Sequence, residues 1–449
     1  MVKDMTQGSP RKLILSFAVP LLLGNLFQQF YSLVDTIIVG RFLGVNELAA
    51  VGATGSINFL IIGFCMGICS GFGIPIAQKF GARDESGLRR FVANSAWLGV
   101  IVSAVMTVTT VLLCRQILIW MKTPADIIDS SYSYIVIIFA GIPVTILYNL
   151  TSSIIRSMGD SKTPVYFLTL SAGLNIVLDL FCILVLKMGV SGAAVATVVS
   201  QGVSGICCLI YMIKKYNNLR MTVEERRVRP DLMKKLIMMG VPMGLQYSVT
   251  AIGSVVLQSA VNTLGSAAVA SVTAAGKVSM LFSTPFDALG ATMATYAGQN
   301  MGAERPDRIR KGLKEAAVIG SIYAAAAFLV LSFAGKYVAL LFVDATETAI
   351  LENVQMMLTA NSAFYIPLLF VNIVRFLIQG VGFSGLAVFA GVSEMIARAL
   401  AGFLLVPLFG FKAVCFANPL AWVFADLFLI PAYLWVMKRV SSQVAKSEN

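Results

Sequence analysis

Two aspartates lie within long apolar stretches of this sequence, where a carboxylate is costly to place. Asp35 lies in the first apolar stretch of the chain, and Asp179 lies in a later one. Tyr31 and Gln28 precede Asp35 by four and seven residues, so a helix places the three side chains on one face. A charge in the hydrocarbon core usually faces a water-filled cavity or a partner inside the bundle. The pattern predicts a functional acid in a membrane span, with Gln28 and Tyr31 as candidates for a cavity wall.

The second acid comes with other oxygen-bearing side chains. Asn175 precedes Asp179 by four residues, and Thr197 in the next apolar stretch can add a hydroxyl group. Oxygen ligands suit a hard cation such as Na⁺. Two close carboxylates also suit one shared proton, because burial and like charge disfavour ionising both. We interpret Asp35, Asn175, Asp179 and Thr197 as a coupling site for H⁺ or Na⁺, and we assign no catalytic residue. The alternative is that each acid only bonds to a local structural partner.

The composition indicates an all-α polytopic membrane protein. Of the 449 residues, 58% are hydrophobic and only 12% are charged, whereas a soluble globular chain is about 25% charged. The chain contains no histidine, which excludes histidine metal sites and histidine proton relays. The seven cysteines lie in or beside apolar stretches without a CxxC pair, so we interpret them as packing residues. The net charge of +12 lies mostly in loops and does not indicate a nucleic-acid partner.

Twelve apolar stretches are long enough to cross a bilayer, which needs about 20 residues as a helix. We predict spans at 13–40, 48–76, 91–114, 130–155, 164–186, 190–213, 236–262, 268–297, 315–334, 352–379, 385–408 and 413–437.

The two halves of the sequence resemble each other. QKFGARDESGLRR from Gln78 matches QNMGAERPDRIRK from Gln299, 221 residues later, and near the same offset Pro20 matches Pro242. Six spans per half is an even number, so both halves insert the same way up. Parallel repeats of this kind imply a pseudo-twofold axis along the membrane normal and a substrate path between the halves.

The expected domains follow from this repeat. We predict two six-helix lobes related by pseudo-twofold symmetry, with a charged interlobe linker between them. The predicted bounds are 1–213 for the N-terminal lobe, 214–235 for the linker and 236–449 for the C-terminal lobe.

The distribution of basic residues predicts the orientation in the membrane. With these spans, 25 Lys and Arg residues fall on one side and six fall on the other. Short loops that are rich in Lys and Arg stay in the cytoplasm. We therefore expect a multi-pass protein of the cell membrane whose termini and linker are both cytoplasmic.

Several motifs together carry a family resemblance that covers nearly the whole chain. They are LFQQFYSLVDTIIVGRFLG, QKFGARDESGLRR, IIRSMGDSKTP, GLNIVLDLFCI, GVSGAAVATVVSQ and GQNMGAERPDRIRK. Their order, spacing and twelve-span setting resemble the multidrug and toxic compound extrusion (MATE) family, in a superfamily that also contains lipid-linked oligosaccharide flippases. The resemblance implies two six-helix lobes, export of cationic or amphipathic compounds, and coupling to Na⁺ or H⁺ entry. It also implies that the positions of Asp35, Asn175, Asp179 and Thr197 form the family's N-lobe cation or proton site.

One departure from the family pattern decides where we expect coupling. One branch of the family carries acids in the seventh and tenth spans, but here those spans offer Gln246, Gln258 and Arg375. The chain is therefore similar to the DinF-like branch, with coupling in the N-terminal lobe. In span eleven, Glu394 and Arg398 are four residues apart and predict an ion pair within one helix. The weaker candidates for the substrate cavity are Gln28, Tyr31, Asn149, Gln246 and Gln258.

These observations favour a secondary active multidrug antiporter that exchanges cationic or amphipathic compounds for H⁺ or Na⁺. We expect small-molecule substrates, membrane lipids as surroundings, no nucleic acid, no cofactor and a functional monomer. A flippase for a lipid-linked oligosaccharide precursor is the alternative, and it should carry a more basic cavity. A membrane enzyme is a weaker alternative, because the sequence has no histidine and no nucleophile motif. A channel is weaker still, and saturable, ion-coupled flux would exclude it.

Overall fold

The computed structural model describes residues 3–340 and 346–447, and in these ranges the chain is helical with no β-strand. The α-helices are α1 (Pro10–Phe42), α2 (Val45–Gly81), α3 (Glu85–Trp120), α4 (Ile128–Ala140), α5 (Ile142–Ser157), α6 (Lys162–Leu180), α7 (Val190–Lys215), α8 (Pro230–Asn262), α9 (Ser266–Gly302), α10 (Pro306–Ala339), α11 (Thr348–Ala363), α12 (Tyr365–Val381), α13 (Ser384–Leu400), α14 (Val406–Phe409) and α15 (Phe411–Ser447).

The described helices account for the twelve predicted spans. Ten helical stretches are long and apolar enough to cross a membrane, and two bent pairs each add one span. The bends are 46° between α4 and α5 and 51° between α11 and α12. Pro143 and Pro367 lie in the first turns of α5 and α12, where a residue without an amide hydrogen costs the helix nothing. The predicted all-α, twelve-span fold is confirmed.

The sequence repeat is also present in the local backbone structure. Gly44 and Gly265 precede α2 and α9 with φ of 94° and 91°, a region that glycine adopts without a steric penalty. Short π-helical segments, Phe181–Val185 and Ala401–Leu405, follow α6 and α13. Since both pairs recur at nearly the same sequence offset, the two halves fold locally in the same way.

The chain divides into two compact units, each with its own apolar core. Unit 1 is formed mainly by Leu23–Gly244, and unit 2 is formed mainly by Met5–Leu22 with the chain from Leu245 onward. The proline-containing helices α1 and α8 are thus each divided between the units. The boundaries of the compact units therefore lie within α1 and α8. The lobe bounds at 213 and 236 remain predictions about the transport lobes.

Close helix packing within unit 1 depends on glycine. A Cβ atom at Gly71 of α2 would meet the backbone of Gly240 in α8, and one at Gly67 would meet the backbone of Gly244. Small residues four apart allow two helix backbones to approach closely. The first half of α8 is therefore held against α2 around Gly240 and Gly244.

The segment 214–235 lies within unit 1 and is bound to α3. Arg89 Nε donates to Glu225 Oε2 at 2.8 Å, and Asn94 Oδ1 accepts from the backbone amide of Arg229 at 2.8 Å. The Glu225 side chain is only 6% exposed. The hydrogen bond from Arg89 lowers the pKa of Glu225 to about 2, so this carboxylate is charged at neutral pH. The predicted linker is thus a fixed part of unit 1 along this stretch.

The second copy of the repeated motif binds the N-terminal segment within unit 2. Met5 is fully buried, and its backbone amide donates to Gln299 Oε1 at 2.9 Å. Asn300 and Arg308 both donate to the Met5 carbonyl oxygen, and Arg308 also donates to that of Gly8 at 3.1 Å. Each copy of the motif therefore contains side chains that hold the segment preceding a proline-containing helix.

Candidate functional site

Helices α6 and α7 bring three of the predicted coupling residues together in unit 1. Asn175 and Asp179 are one turn apart on α6, and both are buried. Hydrogen-bond donors and acceptors assign the orientation of the Asn175 amide. Its nitrogen donates to Asp179 Oδ2 at 2.8 Å, and its oxygen accepts from the Thr197 hydroxyl at 3.2 Å. The amide thus links the acid on α6 to the hydroxyl on α7.

Helix α1 supplies the second acid to the same place. The carboxyl groups of Asp35 and Asp179 lie close enough to interact directly. A hydrogen bond between two carboxyl groups requires a proton on one of them. Tyr31 Oη lies 3.4 Å from Thr197 Oγ1, which connects α1 to α7 as well. The four residues predicted as the coupling site, Asp35, Asn175, Asp179 and Thr197, therefore lie in one group within unit 1.

This group has unused acceptor capacity. Oδ1 of Asp35 and Oδ1 of Asp179 are buried, and neither has a hydrogen-bond partner among the described residues. A buried carboxylate oxygen without a partner is unfavourable. A proton or a cation at these oxygens would supply the missing interaction. Two carboxylates, an amide oxygen and a hydroxyl are oxygen ligands of the kind that hard cations prefer.

Tyr134 is a neighbour of this site that spacing along the sequence does not reveal. It lies on α4, is 7% exposed, and is close enough to Asp35, Asp179 and Tyr31 to interact with them electrostatically. Its approach depends on how α4 packs in unit 1, and one sequence does not specify that packing. In the sequence, Tyr134 could be noticed through its polar hydroxyl group within an apolar span.

The weaker cavity candidates, apart from Tyr31, lie outside this hydrogen-bonded group. Asn149 donates to a carbonyl oxygen of its own helix, and Gln258 donates to a side chain four residues later. Gln28 is exposed on α1. Gln246 is buried in unit 2, where its oxygen accepts from Gln379 at 2.6 Å. None of these hydrogen bonds connects to the four coupling residues.

Unit 2 contains a separate group of buried charges. The predicted pair is present, since Arg398 Nη2 lies 3.2 Å from Glu394 Oε2, and Arg375 of α12 is a second partner of Glu394. Asp287 and Asp426 lie within electrostatic range of Arg375. Glu394 therefore pairs with both arginines, and two further acids lie near Arg375.

Comparison with known proteins identifies related chains. The MatE family model matches residues 20–181 and 242–404, so each half of the repeat matches once. "Probable multidrug resistance protein YoeA" of Bacillus subtilis is 31% identical, covering 76% of both chains. "FAD transporter" of Shewanella oneidensis is 22% identical, covering 80% of this chain and 79% of its own.

Solved structures share the fold. A crystal structure of MATE in complex with MaL6 superposes with a TM-score of 0.90 at 24% identity, covering 99% of each chain. A crystal structure of MATE in the bent conformation gives a TM-score of 0.88, covering 99% of this chain and 98% of its own. The family resemblance predicted from the motifs is confirmed by these matches.

Proposed function

We propose that this chain, which belongs to the MatE family of transporters, is a secondary active multidrug antiporter. In this proposal it exports cationic or amphipathic compounds in exchange for H⁺ or Na⁺. The family consists of transporters rather than enzymes, and relatives named as multidrug resistance proteins cover most of the chain. The exchanged ion and the site where it binds are the parts that we propose.

The observation that carries the proposal is the acidic group of unit 1. Asp35 and Asp179 each have one buried oxygen without a partner, and Asn175 with Thr197 supplies further oxygen atoms beside them. A site of this kind changes charge when it gains a proton or Na⁺. Both are ions that a transmembrane gradient supplies.

Coupling follows from the helix on which Asp35 lies. Helix α1 contains Pro20, and its two ends belong to different units. An ion bound between Asp35 and Asp179 stabilises the arrangement that holds α1 against α6 and α7. An ion drives substrate release only through its different affinities for the two states. We propose that the ion favours the state with low affinity for substrate.

The proposal also covers the orientation of the protein in the membrane and its oligomeric state. The basic-residue count favours a cell-membrane protein with cytoplasmic termini. We propose that the monomer is the functional form, because each residue of the acidic group comes from one chain.

The test is efflux of a fluorescent cationic dye from proteoliposomes, with the Na⁺ and pH gradients imposed separately. We expect one gradient to drive efflux in the natural chain and Asp35→Asn to abolish it. Asp129→Asn is the matched control, because Asp129 is an exposed acid at the start of α4. Gradient-driven efflux that persists in Asp35→Asn would contradict the proposal.

A lipid-linked oligosaccharide flippase remains the alternative. The relative named FAD transporter suggests a second kind of anionic cargo. Such cargo requires a basic cavity. In unit 2, Glu394 pairs with Arg375 and Arg398, and two further acids lie near Arg375. The acidic group of unit 1 adds the two carboxyl groups of Asp35 and Asp179, and these favour cationic cargo. Transport of an anionic dye in preference to a cationic one would support the alternative.

A further inference from the structure

A surface cavity of about 650 Å³ lies between the first turns of α10 and the last turns of α15. We refer to it as the α10–α15 cavity. Its polar lining includes Arg310, Lys438, Ser441 and Ser442, and Leu434 is part of its apolar wall. The cavity is in unit 2 and shares no residue with the acidic group of unit 1. The transport proposal assigns it no role.

The polar end of this cavity is positively charged. Arg310 Nη2 donates to Ser441 Oγ at 2.9 Å, which holds the guanidinium group at the cavity wall. The carboxylate of Asp307 lies 3.7 Å from Arg310, and that acid is 83% exposed, so this ion pair is weak. Lys438 makes no ion pair with any described residue, and none of the described lining residues is acidic. Two positive charges are therefore available to an anion.

The apolar wall continues along α15 as an exposed ridge. Leu427, Ile430 and Leu434 follow one another at intervals of three and four residues, and they are 68%, 47% and 62% exposed. Lys438 comes four residues after Leu434 on the same face. In a membrane protein an exposed apolar ridge of this kind faces lipid. The ridge therefore ends in a positive charge at the predicted cytoplasmic surface.

Aromatic residues mark the same boundary. Trp435 is half exposed, and the Arg439 guanidinium lies 5.3 Å from the centre of its ring. Tryptophan is enriched where hydrocarbon meets headgroups, and Lys and Arg are enriched on the cytoplasmic side. The α10–α15 cavity is thus at the depth where lipid phosphates lie.

We propose that the α10–α15 cavity binds one anionic phospholipid. Arg310 and Lys438 contact the headgroup phosphate, because guanidinium and ammonium groups form charge-assisted hydrogen bonds to phosphate oxygens. One acyl chain lies along the ridge from Leu434 to Leu427. Basic pockets between membrane helices on the cytoplasmic side are suited to such headgroups. The charge and the adjacent ridge together select an anionic lipid over a neutral one.

The test is native mass spectrometry of the purified full chain in neutral detergent, titrated with phosphatidylglycerol or with phosphatidylcholine. We expect one phosphatidylglycerol to bind in preference to phosphatidylcholine. Arg310→Ala with Lys438→Ala should weaken that binding by about 25-fold, or about fivefold for each charge. Lys311→Ala with Lys314→Ala removes two charges from α10 outside the cavity and should leave the affinity unchanged.

Three outcomes would overturn the proposal. The first is an equal loss of affinity in the control double variant, which would indicate only a general charge effect. The second is displacement of phosphatidylglycerol by millimolar inorganic phosphate, which would make free phosphate the ligand. The third is equal binding of the two lipids by the natural chain. If the double variant does not fold, Lys438→Ala alone gives the same test with about a fivefold effect, because Lys438 is exposed.

Discussion

Glu225→Gln should release the segment 214–235 from unit 1. The substitution keeps the shape of the side chain but removes the charge that accepts from Arg89 Nε at 2.8 Å and from the Thr222 backbone amide at 2.9 Å. A hydrogen bond to a charged group contributes about 1.5–3 kcal/mol. A loss of about 2 kcal/mol raises the population of the open segment roughly 30-fold.

Limited trypsin digestion measures this opening directly, because the segment contains several Lys and Arg residues. When opening is fast relative to cleavage, the cleavage rate follows the open population. We therefore expect cleavage of Glu225→Gln to be roughly 30-fold faster than that of the natural chain. Glu224→Gln is the matched control, because Glu224 is the exposed neighbouring acid and carries the same charge.

The pH dependence gives the same prediction a second test. The pKa of Glu225 is lowered to about 2 in the folded chain, whereas an unfolded glutamate has a pKa of about 4.3. The stabilisation is therefore present above the unfolded value and is lost only as the pH falls towards 2. The ratio of the cleavage rate of Glu225→Gln to that of the natural chain should therefore stay constant from about pH 5 to pH 8. Equal cleavage of the natural chain and Glu225→Gln, or equal acceleration in Glu224→Gln, would refute the reasoning.

Three further predictions concern other parts of the chain. Arg308→Ala removes hydrogen bonds to the N-terminal segment and should cost about 2 kcal/mol, measured as a lower thermal midpoint; Lys311→Ala should not lower it. Val223→Cys, at an exposed position, should resist an impermeant thiol reagent in intact cells and react after permeabilisation, whereas labelling of intact cells would contradict the cytoplasmic orientation. Gly71→Val should destabilise unit 1 by about 1–3 kcal/mol, because its side chain would meet the backbone of Gly240, and an unchanged thermal midpoint would contradict this packing.

Much of the fold follows from the sequence because membrane spans are defined by length and apolar content. The bends after α4 and α11 are also readable in part, since Pro143 and Pro367 recur in both halves. The division of α1 and α8 between two units is not readable in the same way. It depends on which core Phe17 and Leu236 enter, and both are simply apolar in sequence.

The candidate site shows the same limit. Helical spacing connects Asn175 with Asp179, and Tyr31 with Asp35, because those contacts lie within one helix. It does not specify the approach of the two pairs, or the position of Tyr134, because these depend on packing between helices. Arg375 is a further example, since its partner Glu394 lies on another helix.

We propose that Asp35 and Asp179 act together as the coupling site, and substrate binding measured against pH and against Na⁺ tests this most directly. Asp35→Asn and Asp179→Asn should each remove the ion dependence of binding, and the double variant should be little worse than either, as expected for groups that act as one unit. Gln258→Ala should change the apparent substrate affinity at most. Loss of the ion dependence in Gln258→Ala, with both aspartate variants retaining it, would contradict the account.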